Sequence, residues 1–320
     1  MMRGASVARP SELRWLTICC SLKKSVARSA ELLLHESNPL YQDTAMEMIG
    51  YSWTPFQNCF DAYAAIHSLV RISATTSPAL PARRELIHRS FLEIAAKNSL
   101  LLASSLANSI SNESLTAAPS AVQPQGLAEA SAEAMRIVTF IVRTHPAVFV
   151  DVLSVLVEAV LKILDPSSNL NSSNSGLRET VLPTVTELVE ALVRSYSTLA
   201  FHRPSQRLAL SAAPGIIGVY DLKTSQASYM LDGHRRLASH LCFNVDGKCL
   251  AALDTAEKTL YVWRFGGGLL SYLGTEGDKP LQPRAKRVYD LDGGVVEVAW
   301  KAERKAVVRL EDGSEVEAVV

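Results

Sequence analysis

Residues 233–264 read GHRRLASHLCFNVDGKCLAALDTAEKTLYVWR, and their spacing decides the fold. Gly233-His234 opens the stretch, and Leu237–Phe243 follows as a short apolar run. Val245-Asp246-Gly247 supplies turn chemistry, since aspartate and glycine favour the local hydrogen bonds and positive φ of a tight reversal. Cys249–Leu253 then gives a strand built around the small residues Ala251 and Ala252. After a turn over Asp254 to Lys258, Leu260–Phe265 gives a third strand carrying Trp263. Alternating apolar runs separated by Gly and Asp turns define an antiparallel β region.

An internal echo extends this reading. Leu208-Ala209 followed by Val219-Tyr220-Asp221 is matched by Leu250-Ala251 followed by Val262-Trp263-Arg264. Tyr220 and Trp263 lie 43 residues apart, within the ~40–45-residue period of a WD40 blade. The stretch resembles that repeat in order: a Gly-His step, a strand, an Asp-Gly turn, a small-residue strand, and a strand ending in Trp. The resemblance implies that His234 hydrogen-bonds within the blade toward Trp263, as part of a buried His–Ser/Thr–Asp–Trp network. Two departures weaken that network here. Arg264 replaces the terminal aspartate, and Glu257 stands near the position of the tight-turn aspartate, with one extra residue before Thr259. The structural WD40 signature is therefore Gly233, His234, Asp246, Gly247, Trp263, Tyr220 and Asp221.

Further strands are expected at Arg207–Ala212, Ile216–Leu222, Ala227–Leu231, Leu269–Leu273, Val295–Trp300, Ala306–Leu310 and Glu315–Val319. Gly277 to Lys286 reads as a loop, and Asp292-Gly293-Gly294 and Asp312-Gly313 as hairpin turns. Ten to eleven strands make about two and a half blades, an incomplete ring, because a propeller typically has ~4–8. Other residues are then expected to supply the rest of any ring.

Upstream, the hydrophobic period changes to that of helices. Helices are expected from Leu13 toward Ser37, over Leu40–Tyr51, Phe56–Ile72, Glu85–Ile110, Leu127–Arg143 and Ala147–Leu164, and from Leu177 to about Thr198. Ser/Ala/Pro-rich and Ser/Asn-rich inserts lie near 111–126 and 165–176. The fold class is thus α + β multidomain. Residues 1–200 form an all-α helical-repeat region of HEAT or armadillo type, and residues 201–320 form partial WD40 β-propeller blades. A globular helical bundle gives the same helical spacing. Glycine usage follows the boundary, with 4 of the 16 glycines before position 200 and 12 after it.

Composition narrows the function classes. Lys plus Arg and Asp plus Glu are 32 each. Zero net charge argues against a general nucleic-acid binder, whose phosphate affinity comes from accumulated basic charge. The five cysteines (Cys19, Cys20, Cys59, Cys242, Cys249) form no CxxC pair and read as reduced thiols, with the Cys19-Cys20 pair in a helix core. The most apolar run, Pro146 to Leu164, carries Asp151, Ser154, Glu158 and Lys162 as one polar stripe, so no transmembrane span is expected. Seven histidines (His35, His67, His88, His145, His202, His234, His240) are scattered, and neither G-x-S-x-G nor a P-loop occurs. Gly266-Gly267-Gly268 reads as a loop rather than a dinucleotide site. Trp15 and Trp53 fit helix contacts, Trp263 and Trp300 packing between sheets, and Arg83-Arg84 and Arg235-Arg236 solvated faces. No catalytic residue, cofactor or metal site is expected, and the chain reads as no enzyme.

The order of helices and then blades resembles the carboxy-terminal part of the rabconnectin-3 beta subunit (WD repeat-containing protein 7) family. The residues that carry it are Glu36-Ser-Asn-Pro-Leu40 with Trp53 downstream, His145-Pro146 before the helix ending Leu164-Asp165-Pro166, and Gly218-Val-Tyr220-Asp221. The Gly-His-to-Trp blade, Leu269-Leu-Ser-Tyr-Leu-Gly274, Val298-Ala-Trp300 and Asp312-Gly-Ser-Glu315 complete it. It covers about residues 12 to 320, without the family's larger amino-terminal portion. The resemblance implies a non-enzymatic scaffold that pairs with the DMX-like rabconnectin-3 alpha subunit. It implies support of vacuolar proton ATPase assembly and regulation, organelle acidification and Rab3-linked vesicle traffic. The implied location is cytoplasmic, open to peripheral association with intracellular vesicles. Another WD40 adaptor, such as a ubiquitin-ligase substrate receptor or a vesicle-coat component, is the alternative.

Overall fold

The computed structural model describes residues 10–111, 124–165, 177–265, 283, 285–288 and 294–319. Contacts divide the chain into two compact units, Met1–Ser109 and Ile110–Val320. The change from helix to strand falls elsewhere, between Ser195 and Leu199.

The first unit holds α1 (Pro10–His35), α2 (Pro39–Phe56), α3 (Ala62–Thr75), α4 (Pro81–Lys97) and most of α5 (Ser99–Ser111). Asn38 caps α2, its side chain accepting from Leu40 N at 3.0 Å ahead of Pro39 at the first helical position. Asp61 caps α3 through Ala64 N at 3.1 Å. The helix begins there rather than at Phe56. Pro55 does not stop α2, because it lies in the last turn, where little helix remains to be broken, and Trp53 is buried.

The single helix expected over Glu85–Ile110 is two. Asn98 leaves the helical region (φ −140°, ψ 60°), its N–H donating α4's last bond to Ile94 O at 2.8 Å. Its carbonyl opens α5 by accepting from Leu102 N at 3.0 Å. α1 packs on α2 and α3, and α4 packs on α2 and α3, so two helical hairpins stack. Ser90 Oγ donates to Met46 O at 3.0 Å where α4 crosses α2 closely over Gly50.

The second unit begins with α6 (Pro124–Thr144), a 3-10 helix (Pro146–Val152), α7 (Leu153–Leu164) and α8 (Leu177–Ser195). α6 starts inside the stretch read as an insert. Residues 112–123 and 166–176 of the inserts, the Leu269–Leu273 run and the Gly266-Gly267-Gly268 loop lie outside the described residues, as do the side chains of Trp15, Cys19 and Cys20. α6 packs on α8, and Tyr196 Oη donates to Pro146 O at 2.5 Å.

Eleven strands follow among the described residues: β1 (Leu199–His202), β2 (Arg207–Ala213), β3 (Ile216–Asp221), β4 (Gln226–Asp232), β5 (His240–Phe243), β6 (Cys249–Asp254), β7 (Thr259–Arg264), β8 (Ala285–Val288), β9 (Val295–Ala302), β10 (Lys305–Leu310) and β11 (Glu315–Val319). They form three antiparallel meanders, β1-β2-β3-β4, β5-β6-β7-β8 and β9-β10-β11. β1 and β8 were not expected, and β8 falls partly within the stretch read as a loop. Every residue of β6 is buried. Leu250 and Ala252 share one core with Ala209 and Val219 of the first sheet. Ala251 and Leu253 share another with Val298, Ala306 and Val308 of the third. Alternation along one strand feeding two cores means that the second sheet is sandwiched face to face between the others.

Candidate functional site: the paired blades and their turns

Pairing tests the echo seen in the sequence. In the first sheet Leu208 lies opposite Tyr220 and Ala209 opposite Val219. In the second, Leu250 lies opposite Trp263 and Ala251 opposite Val262. Four matched positions thus share one register in two sheets. Trp263 is fully buried, and its Nε1 donates to Asp232 O at 3.3 Å, tying β7 to the end of β4 in the preceding sheet.

The Gly-His step follows β4. A Cβ on Gly233 would lie 3.2 Å from Tyr261 and 3.3 Å from Trp263, so a side chain there would press the aromatic pair aside by a few tenths of an ångström. His234 is 4% exposed and meets Tyr261 edge-on, with ring centroids 4.4 Å apart, and Trp263 at 5.8 Å. The hydrogen bond expected from His234 toward Trp263 is not formed. Among the described residues no hydrogen bond joins the imidazole to Trp263, and the two rings pack instead. Burial pushes the imidazole down to about 4, against the opposing pull of the Asp254 carboxylate and the Ala252 backbone. The ring is neutral at ordinary pH.

Asp246 is exposed, and Gly247 turns with φ +65°. A Cβ there would fall 2.3 Å from His202 Nδ1. His202 Nε2 donates to Val245 O at 2.8 Å, and its Nδ1 meets Ser205 Oγ at 2.7 Å, so the end of β1 is pinned to the β5–β6 turn. Asn244 organises that turn, its Oδ1 accepting from Cys249 N at 2.9 Å and its Nδ2 donating to Glu303 O at 3.2 Å. Arg207 donates to Gly247 O at 3.1 Å and lies over the rings of Tyr229 and Phe265, at 5.7 and 5.6 Å. The sequence reading missed Asn244, Arg207 and His202, although Asn244 sits inside the decisive stretch, directly before the Asp-Gly turn.

Asp254 caps the β6–β7 turn, its Oδ1 accepting from Ala256 N at 2.9 Å and Glu257 N at 3.1 Å. In the first sheet Asp221 caps the β3–β4 turn, accepting from Lys223 N at 2.8 Å. Tyr220 is half-buried, and burial, with Glu158 nearby, raises its phenol above the ordinary value. Of the seven signature residues, Gly233, His234 and Trp263 meet at one contact. Gly247 and Asp246 form the opposite turn, and Tyr220 and Asp221 lie in the neighbouring sheet.

A groove of about 340 Å³ lies beside β1, β5 and β9, lined by Val193, Phe201, His202, Cys242, Asn244 and Trp300. Its polar groups are engaged, since Trp300 Nε1 donates to Cys242 O at 3.0 Å, linking β9 to β5. Burial, with Glu297 adding to it, pushes the Cys242 thiol up to about 11, so it carries no thiolate. Among the described residues, no group of three or more His, Cys, Asp or Glu could hold a metal ion, and no helix is long and apolar enough to cross a membrane.

Antiparallel meanders stacked face to face, two of four strands and one of three among the described residues, have the arrangement of β-propeller blades. Solved structures similar to the chain include the beta-propeller domain of Myceliophteria thermophila Cps50 (Swd1), at 16% identity and TM-score 0.28, over 39% of this chain and 38% of that one. Kluyvelomyces marxianus Hsv2 is similar at 16% identity and TM-score 0.29, over 38% and 43%. The computationally designed Ika8 protein is similar at 17% identity and TM-score 0.28, over 38% and 32%. The match spans less than half of each of those chains. No protein-family model and no curated protein matches the chain.

Proposed function

We propose that this chain is a non-enzymatic interaction scaffold of the WD repeat class, related to the rabconnectin-3 beta subunit. It would support assembly and regulation of the vacuolar proton ATPase, organelle acidification and Rab3-linked vesicle traffic through protein contacts, from the cytoplasmic side of intracellular vesicles. The observation that carries the scaffold reading is the shared register of Leu208–Tyr220 and Leu250–Trp263 in face-to-face sheets. Such blades present loops and turns on a rigid core. The stacked hairpins of α1–α4 support a helical repeat of HEAT or armadillo type beside them in sequence. The resemblance over about residues 12 to 320 supports the specific partners.

Affinity capture of the tagged protein from cell extract, read by mass spectrometry, tests the proposal. Recovery of vacuolar ATPase subunits with a DMX-like partner is expected. Recovery of cullin adaptors or coat subunits in their place would assign the chain to another kind of WD40 adaptor.

A further inference from the structure

The three sheets end in two faces of opposite chemistry. The outer face of the first is covered, as α8 packs on β1 and α7 on β2, and Leu199, Leu208 and Leu210 are buried. The outer face of the third sheet is charged. Pairing sets Glu297, Arg309 and Glu315 in one row across β9, β10 and β11, with Ala299, Val307 and Glu317 in the next. Arg309 reaches Glu297 at 2.7 Å and Glu315 at 3.2 Å. Lys305 reaches Glu317 at 2.6 Å, and Lys301 pairs with Glu315 and, at 3.6 Å, with Glu317. Three cations and three carboxylates thus form one lattice, and Val307 beneath it is already buried.

The second sheet shows what a face built to receive another sheet carries. There the corresponding cross-strand pairs are Ala251 with Val262 and Leu253 with Leu260, all apolar and all packed against the third sheet. In the third sheet those pairs become Val307 with Glu317 and Arg309 with Glu315. Covering this face with an apolar sheet would strip water from six charges. The apolar area that β9 offers is that of the half-buried Ala299 and the exposed Val296, since Val307 has its cover. Desolvation wins by a wide margin.

We infer that the outer face of β9–β10–β11 is a permanent, water-facing end of the sheet stack, on which no further blade packs. The three sheets form an open stack, closed by helices at one end and by an ion-pair lattice at the other, rather than an arc of a ring. This goes beyond the scaffold proposal and holds whichever partners are captured.

Lysine acetylation tests it in the full-length protein, purified free of partners so that only its own chain could cover the face. The protein is treated with an N-hydroxysuccinimide acetate, and Lys301 and Lys305 are read by peptide mass spectrometry. Rates slowed less than about tenfold from those in the urea-unfolded chain are expected, as for surface groups. A greater slowing at both lysines overturns the open stack. Because ion pairing itself slows acylation, Ala299→Cys labelled with a charged maleimide gives a second reading on the same face. Protection of that thiol beyond the same limit would also place a covering blade there.

Discussion

At His234 the buried imidazole has traded water for two aromatic rings. Its burial holds the proton affinity down at about 4, while in the unfolded chain the ring returns to its ordinary 6.5. The charged groups that act on it are Asp254, which pulls upward, and Lys286, which pushes downward. Above both values the ring is neutral in either state and contributes no pH dependence. As pH falls from 6.5 toward 4, the unfolded chain takes up the proton first, so stability is lost across that window. The loss is on the order of 3 kcal/mol for this group. Urea midpoints at about pH 7 and about pH 4.5 measure it, with His234→Gln as the control for every other titrating group. The wild-type chain should lose more stability than the variant between the two pH values. Equal losses would show that the ring is solvated.

At the scale of an element, β6 explains why the sequence carries Ala251-Ala252 where two sheets meet the same strand. One alanine faces each core, and each core is filled by larger neighbours: Trp263 and Tyr261 on one side, Leu260, Val262 and Val308 on the other. Ala251→Leu and Ala252→Leu should each destabilise the second unit by about 1–3 kcal/mol through overpacking. Matched enlargement at Val245, which is exposed, should be nearly neutral. Thermal unfolding of the three variants checks this, and tolerance of either core leucine would mean a looser stack. The small-residue strand and the turns around it were legible because turn chemistry and period-2 burial are local properties. β1 was not, since Leu199-Ala-Phe-His202 continues the apolar spacing of α8 without a breaker. β8 was hidden by Lys286 and Arg287, which disrupt apolar alternation, and only pairing with β7 makes it a strand. His202, Arg207 and Asn244 escaped notice for another reason. Their partners lie about 40 to 60 residues away, at Val245, Gly247 and Glu303, and no local pattern announces such contacts.

At the scale of the whole chain, the sequence boundary near residue 200 and the packing boundary at Ser109/Ile110 divide the molecule differently. The reason lies at the junction of α8 and β1. Leu241 N donates to Ser197 O at 2.8 Å, and Ser197 Oγ donates to Ser239 O at 2.6 Å, so the linker itself extends the second blade's inner edge. Arg203 pairs with Glu190 of α8 at 3.3 Å. Cutting at residue 201 would remove half of β1, both Ser197 bonds and the helices that cover Leu208 and Leu210, exposing a sheet face and an edge together. A fragment of residues 110–320 should therefore unfold cooperatively in urea, with coincident transitions by far-ultraviolet circular dichroism and tryptophan fluorescence. A fragment of residues 201–320 should show a broad, non-coincident transition and bind a hydrophobic dye. If the shorter fragment instead unfolds in a single sharp step at the same midpoint, the blades are an autonomous domain and the helices α6–α8 belong with the preceding ones. The outcome decides whether the change of secondary structure or the contact boundary marks the folding unit.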